Sequence, residues 1–344
     1  MRRKIGYLTQ WWVTNIGNMF IDMGARISIF EAIQDRNYDL VQVSAFSMVP
    51  DSQLPGGITG FIYNIRPLTR FFWKLFSRYL DKNALEKLYK KTIKASNTFN
   101  LAEVVKVDYF VFSGCVLTIS FFKIFDNLFN RLKRQGVKII LYGCGGSSYS
   151  DFEISFVRNK LKEIQPYALI TRDSLAFRNY GDLAEHSFDG IDCAFFVNKL
   201  PYKRIELNIP PYVVLTFDEY KNKRIERKLE KEIRNCKIIK ASHIPFPQLS
   251  IFGAPKHSGT FFASDSPHDY LILYAHAKEV HTDRVHACVA ALSFGTPCRL
   301  YNETPRAMLF EKVCTGDITK RVVYPRNIER IKEKQAAFLS QIIE

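Results

Sequence analysis

Asp108-Tyr109-Phe110-Val111-Phe112-Ser113-Gly114 reads as a short strand, apolar on both faces and closed by a glycine turn. A helical pattern follows over Phe121–Gln135, with Gly136 as its stop. A second apolar strand covers Val137–Tyr142 and runs into Gly143-Cys144-Gly145-Gly146. Strands apolar on both faces must be covered on both faces. With a helix between them they predict a parallel sheet in an α/β protein.

Working outward, the same alternation continues. Ile5–Leu8 and Leu40–Ala45 read as strands around a helix over Asn18–Asp35, and a helix over Glu153–Ile164 leads to a strand at Ala168–Thr171. Pro201, Pro210 and Pro211 then interrupt the chain. Beyond them a second α/β pattern begins. It comprises strands at Tyr212–Thr216 and Cys236–Ala241, a charged helix over residues 220–235, and a loop over His243–Gly259. Helix Tyr270–Ala277, strand Glu279–His281, an apolar helix from Arg284, strand Cys298–Tyr301 and a helix over Asn327–Glu344 complete it. The expected organisation is a first α/β domain over 1–198, a linker over 199–211 and a second domain over 212–344. At 344 residues, two cores are the natural expectation.

The formal net charge of +15 favours an anionic partner. No zinc spacing or recognised nucleic-acid motif accompanies it, so nucleic acid is not expected. Seven scattered Cys, an odd number without C-x-x-C, predict free thiols in a reducing compartment. The first residues lack a signal-peptide pattern, and no apolar run reaches membrane-spanning length, so a cytoplasmic protein is expected. Within 61–94, Arg66, Arg70, Lys74 and Arg78 form a basic stripe beside Phe71, Phe72, Trp73 and Phe76. Two readings are open there: a helix packed on its own domain, or peripheral contact with an anionic membrane.

The chemistry-bearing residues fall where predicted strands end, the edge at which open α/β sheets bind ligands. Loops with Asn15, Gly17 and Asn18, with Gly114, and with Gly143 and Gly145 could present backbone N–H groups to an anion or simply turn the chain. Arg172 ends a strand, while Asp173 is explained as a helix cap. For Arg172 the choice is between a bidentate grip on phosphate or carboxylate and a salt bridge to an acid such as Asp192. Asp192 in turn either lines the cleft or fixes a loop through local N–H groups. His281, Asp283, Arg284 and His286 crowd the mouth of the apolar helix ending at Gly295-Thr296-Pro297. A helix N-terminus with an Arg and two His suits an anion.

Several of these pieces, in this order, resemble the polysaccharide pyruvyl transferases: Asn15-Ile16-Gly17-Asn18, Val111-Phe112-Ser113-Gly114, Leu141-Tyr142-Gly143-Cys144-Gly145, Thr171-Arg172-Asp173-Ser174, Asp192-Cys193-Ala194-Phe195, Asp283-Arg284-Val285-His286-Ala287 and Phe294-Gly295-Thr296-Pro297. The chain departs from the family at Asn18, where Asp is common, and at Ser113-Gly114-Cys115, where a longer glycine run is common. The resemblance implies two Rossmann-like domains in a GT-B-like arrangement, with the active site in the cleft between them. It implies transfer of the enolpyruvyl unit of phosphoenolpyruvate to a sugar of a cell-surface glycan, with no metal or other cofactor placed on these residues. A lipid-linked acceptor is among those open. Arg172, Arg284 and His286 match donor-binding positions. His286 is then the expected general acid, the two Arg the donor clamps, and His281 and Asp283 supporting catalytic candidates. Two other readings stay open: a glycosyltransferase using a nucleotide sugar in the same architecture, and a non-catalytic, membrane-apposed glycan-binding protein.

Overall fold

The computed structural model describes residues 2–10, 15–33, 37–44, 101–219, 222–243 and 261–343. The stretch 61–94, the residues Trp11–Thr14 and most of the His243–Gly259 loop lie outside them.

The first sheet has six parallel strands. They are β1 (Arg3–Thr9), β2 (Tyr38–Ser44), β3 (Tyr109–Gly114), β4 (Lys138–Cys144), β5 (Ala168–Thr171) and β6 (His186–Asp189). Their order is β2-β1-β3-β4-β5-β6. Helix α1 (Ile16–Ile33) covers one face. On the other face, α2 (Ile119–Arg134) sets Phe121, Phe122, Phe125 and Phe129 against Phe110 and Phe112 of β3. The Phe112–Phe129 ring centroids lie 4.6 Å apart. Each such buried ring contributes on the order of 2–3 kcal/mol. This layer is why β3 and β4 read as unbroken apolar runs.

Local signals set the helix ends. The Thr118 hydroxyl accepts from the Phe121 N–H to start α2, and Gly136 leaves it at φ +69°. Ser150 caps α3 (Asp151–Ile164) by accepting from the Glu153 N–H, and the Glu153 carboxylate accepts from the Ser148 and Tyr149 N–H groups of the preceding turn. Asp173 caps α4 (Ser174–Tyr180) by accepting from the Ala176 N–H. After β6 the chain makes a buried 3-10 stretch, Cys193–Lys199, capped by Asp192.

The second sheet is also parallel, in the order β11-β10-β7-β8-β9. It contains β7 (Tyr212–Thr216), β8 (Lys237–Ala241), β9 (Phe261–Phe262), β10 (Glu279–Thr282) and β11 (Cys298–Leu300). Helices α5 (Lys223–Glu232), α6 (Pro267–His276) and α7 (Val285–Ser293) belong to this half. One apolar core runs through both halves, joining Tyr7 and Tyr142 to Val214 and Leu300 through α1, Cys193–Val197 and α7.

Helix α8 (Ile328–Ile342) corrects the domain boundary expected from sequence, because it returns to the first half. Gln335 Oε1 accepts from the Ile191 N–H at 2.7 Å, the Tyr167 hydroxyl donates to the Ile342 carbonyl, and Phe338 stacks on Phe188. Its buried face carries Lys332 and Gln335 among Ile328, Leu339 and Ile342. Both polar groups find partners in the first half: Lys332 donates to Asn198.

Gly24 of α1 lies where a Cβ would overlap the Cys193 carbonyl carbon and oxygen, which are backbone and cannot swing aside. At an open helix position Gly→Ala would stabilise by up to about 1 kcal/mol. Here Gly24→Ala is expected to destabilise instead, by about 1–3 kcal/mol of overpacking. A shift of the urea midpoint to lower concentration checks the sign.

Candidate active site

The C-terminal ends of both sheets supply one cluster. Arg172 directly follows β5 and is 1% exposed; Asp192 precedes the buried 3-10 stretch and is 0% exposed. They pair through Arg172 Nη1 and Asp192 Oδ2 at 3.0 Å. Gly145, at the end of β4, leaves the space for this guanidinium: a Cβ there would run into Arg172 Nε and Asp173. Gly143 turns with φ +59°, and a Cβ on it would collide with Cys193, so it seats the stretch that Asp192 caps. Gly114 also turns at positive φ, 86°.

His286 enters from the first turn of α7 in the other half. Its Nε2 stands 3.7 Å from Asp192 Oδ2, an ion-pair contact longer than a hydrogen bond. Gly17, in the first turn of α1, packs on the other side of the ring, where a Cβ would come within 2.9 Å of Nδ1. Asn15 and Asn18 hold that turn together: Asn15 donates from Nδ2 to Asn18 Oδ1, and the Asn18 N–H donates to the Asn15 carbonyl. Arg284 precedes α7; its Nε lies 3.5 Å from Asp218 Oδ2, and its N–H donates to the Thr282 hydroxyl.

Burial would raise the Asp192 pKa, yet His286 and Arg172 hold the carboxyl down to about 2. His286 goes the other way. Burial lowers its pKa from the ordinary imidazole value, Asp192 only partly offsets this, and the charges of Arg172 and Arg306 add to it. The free site therefore holds an ionised Asp and charged Arg, while burial works against a charge on His286. Several donors have no hydrogen-bond partner among the described residues: Arg172 Nε and Nη2, Arg306 Nε and, when protonated, His286 Nε2. Buried groups of this kind call for an acceptor. An anion with several oxygens meets that need.

Of the positions expected from sequence, the structure brings together Arg172, Asp192 and His286, with Gly17 and Gly145 fitted around them. Asp192 does both things open to it: it pairs with Arg172 and accepts from the Ala194 N–H. Asp283 and His281 stand elsewhere. Asp283 accepts from the N–H groups of Asp218 and Glu219 and from Asn222 Nδ2, so it pins the loop after β7. His281 contacts Glu279 Oε1 at 2.7 Å and the Tyr301 hydroxyl at 3.1 Å. Neither is paired with His286. Asp283→Ala is expected to cost about 1–3 kcal/mol of stability by leaving those donors unsatisfied. Ligand affinity at saturating folded protein should change little. A drop in affinity without a drop in melting temperature would overturn that assignment.

His243 is the site residue that the sequence did not mark, whereas Arg306 lies in the segment 301–306, which by position alone could touch acceptor or donor. Both follow strands, β8 and β11, and that position was the available signal. Among the described residues, no group of three His, Cys, Asp or Glu is placed to hold a metal ion. No helix among them is long and apolar enough to cross a membrane.

A family profile described as Polysaccharide pyruvyl transferase matches residues 50–304. The chain belongs to this family. The matched region carries Arg172, Asp192, Arg284 and His286, while α1 and Arg306 lie outside it. No curated protein matches the chain in a sequence search. Among solved structures, it is similar to Staphylococcus aureus MnaA in a co-structure with UDP, at 12% identity and TM-score 0.54, over 99% of this chain and 91% of that one. A UDP-N-acetylglucosamine 2-epimerase from Rickettsia bellii shares 14% identity at TM-score 0.51, over 99% and 95% of the two chains. The corresponding Neisseria meningitidis enzyme, bound to UDP-GlcNAc, shares 13% at TM-score 0.50, over 100% and 98%. At such identities the likeness is one of fold, and it is the two-domain GT-B-like fold seen here.

Proposed function

We propose that this family member binds phosphoenolpyruvate in the cluster around Arg172 and transfers its enolpyruvyl unit to two sugar hydroxyls, forming a pyruvate ketal and releasing phosphate. One observation carries the reading: buried donor atoms of Arg172 and Arg306 have no partner among the described residues, and both side chains act electrostatically on His286. Phosphoenolpyruvate offers a phosphate and a carboxylate, each able to take a guanidinium fork. Arg284, only loosely held by Asp218, is the third cation available to the donor.

In this reading the arriving dianion restores the proton that burial withholds from His286. Protonated His286 then gives that proton to the methylene carbon of the donor. The neighbouring carbon becomes electrophilic, and a sugar hydroxyl bonds to it and sheds its proton, which returns to His286. A second hydroxyl of the same sugar displaces phosphate and closes the ketal; its proton leaves with phosphate and solvent. The Arg side chains hold the departing phosphate charge. Asp192 stays ionised throughout and keeps Arg172 and His286 in register. Asn15, Gly17, Asn18, Gly114, Gly143 and Gly145 form the walls and turns of the first-domain side.

Titration of the full chain with phosphoenolpyruvate and, separately, with a set of nucleotide sugars tests the reading. Binding and thermal stabilisation by phosphoenolpyruvate, with phosphate release once an acceptor diol is supplied, are expected. Stabilisation by a nucleotide sugar with none by phosphoenolpyruvate would replace pyruvyl transfer with glycosyl transfer.

A further inference from the structure

We propose that His243 is a further anion-binding residue of this cleft: a neutral imidazole that donates from Nδ1 to the bound anion and is oriented by Tyr274. It deepens the phosphoenolpyruvate reading and rests on it.

His243 ends the described part of β8's exit loop and is 0% exposed. Its N–H donates to Asp218 Oδ2, the same carboxylate that meets Arg284. The other Asp218 oxygen accepts from the Ser242 hydroxyl at 2.6 Å, so one carboxylate ties the ends of β7, β8 and β10 together. Across the cleft, Phe20 of α1 meets the His243 ring edge-on at 5.6 Å. Phe20 lies one helical turn from Gly17, the residue against His286. The ring is thus held between the two halves of the protein, and its backbone shares an Asp218 oxygen with Arg284.

Its two nitrogens are treated differently. Nε2 sits 2.6 Å from the Tyr274 hydroxyl, which in turn lies 3.2 Å from the Thr216 hydroxyl. Nδ1 is buried and has no partner among the described residues. Thr216 has a proton to give to Tyr274, and Tyr274 has one to give to Nε2. That relay leaves the imidazole proton on Nδ1. The proposed donor role requires this tautomer. Burial, reinforced by the Arg284 charge and by His286 whenever that ring is protonated, holds the ring's pKa well below the ordinary value, so it serves as a neutral donor.

Two substitutions separate the nitrogens. His243→Asn keeps an N–H near the Nδ1 position, whereas His243→Gln reaches toward Tyr274 and loses that donor. Calorimetric titration with phosphoenolpyruvate and with inorganic phosphate is expected to show the Asn variant within about threefold of wild type. The Gln variant should bind about tenfold or more weakly, the equivalent of one lost hydrogen bond. Wild-type affinity in a folded Gln variant, or equal losses in both folded variants, overturns the proposal. Should either variant fail to fold, histidine-selective isotope labelling of the wild-type chain reads the tautomer directly. A proton on Nδ1 that shifts on phosphate addition supports the proposal, and one on Nε2 overturns it. His243-dependent phosphate binding without phosphoenolpyruvate binding would remove the pyruvyl reading and support this one. A wild type that binds neither would remove both.

Discussion

Arg172→Met is expected to cost about 3–5 kcal/mol of stability and to abolish measurable donor binding. The stability loss comes from Asp192: with 0% exposure and its partner gone, it becomes a lone buried charge. His286 stands 3.7 Å away and is itself disfavoured as a cation by burial, so it replaces the guanidinium poorly. The binding loss has another origin, the Nε and Nη2 donors that Asp192 leaves free. The double variant Arg172→Met with Asp192→Asn separates the two. The Asn keeps an acceptor for the Ala194 N–H and removes the charge, so most of the stability should return. Donor binding should not return with it. Urea unfolding and calorimetry on the same samples measure both. Recovery of binding in the double variant would show that Arg172 serves the fold and not the ligand.

His286→Gln is expected to lower turnover by about 10²–10⁴-fold, the usual worth of a positioned proton donor. Donor affinity should change by less than about tenfold, because the Arg side chains remain. Unchanged turnover would refute the acid role. The pH dependence of stability gives an independent check. The folded-state pKa of His286 is lowered, so between that value and about 6.5 the unfolded chain binds more protons than the folded one. This contribution makes stability rise with pH through that window and fall as pH drops through it. Asp192 acts in a lower window: its stabilisation is present above about 3.8 and is lost as pH falls toward 2. His286→Gln should flatten the upper part of the melting-temperature profile and leave the lower part in place. For catalysis the free enzyme should lose activity as pH rises through the His286 pKa, because the acid must carry its proton.

Much of this arrangement was legible in the sequence, for physical reasons that differ from residue to residue. Tyr109–Gly114, Ala168–Thr171 and Tyr212–Thr216 declare themselves because a strand covered on both faces is apolar along most of its length, without alternation. Edge strand β6 does not: His186-Ser187-Phe188-Asp189 is only half-buried and reads as loop. Arg172 and His286 were found because charge at a strand end or helix mouth has to be explained. The Arg172–Asp192 pair was one of two readings open in the sequence, but the approach of His286 to Asp192 was not legible, since it joins residues from both halves. Adjacency in sequence does not bring His281 or Asp283 to His286. Successive residues along a strand point to opposite faces, and a loop carboxylate goes to whichever N–H groups surround it. His243 was hidden because a lone histidine opening a Pro- and Gly-containing loop carries no periodicity. Helix α8 was given to the wrong half because Lys332 and Gln335 look like solvent-facing residues, and only their partners across the fold show otherwise.

That returning helix also sets an order of events during synthesis. The Ile191 N–H meets Gln335 across 144 residues of chain, so this one donor waits for nearly the whole second half to leave the ribosome. Pairing over such distances is slow, and it exposes the unfinished chain to wrong contacts in the meantime. The Ile191 N–H, next to the carboxylate that joins Arg172 to His286, is therefore among the last groups of the protein to find its partner.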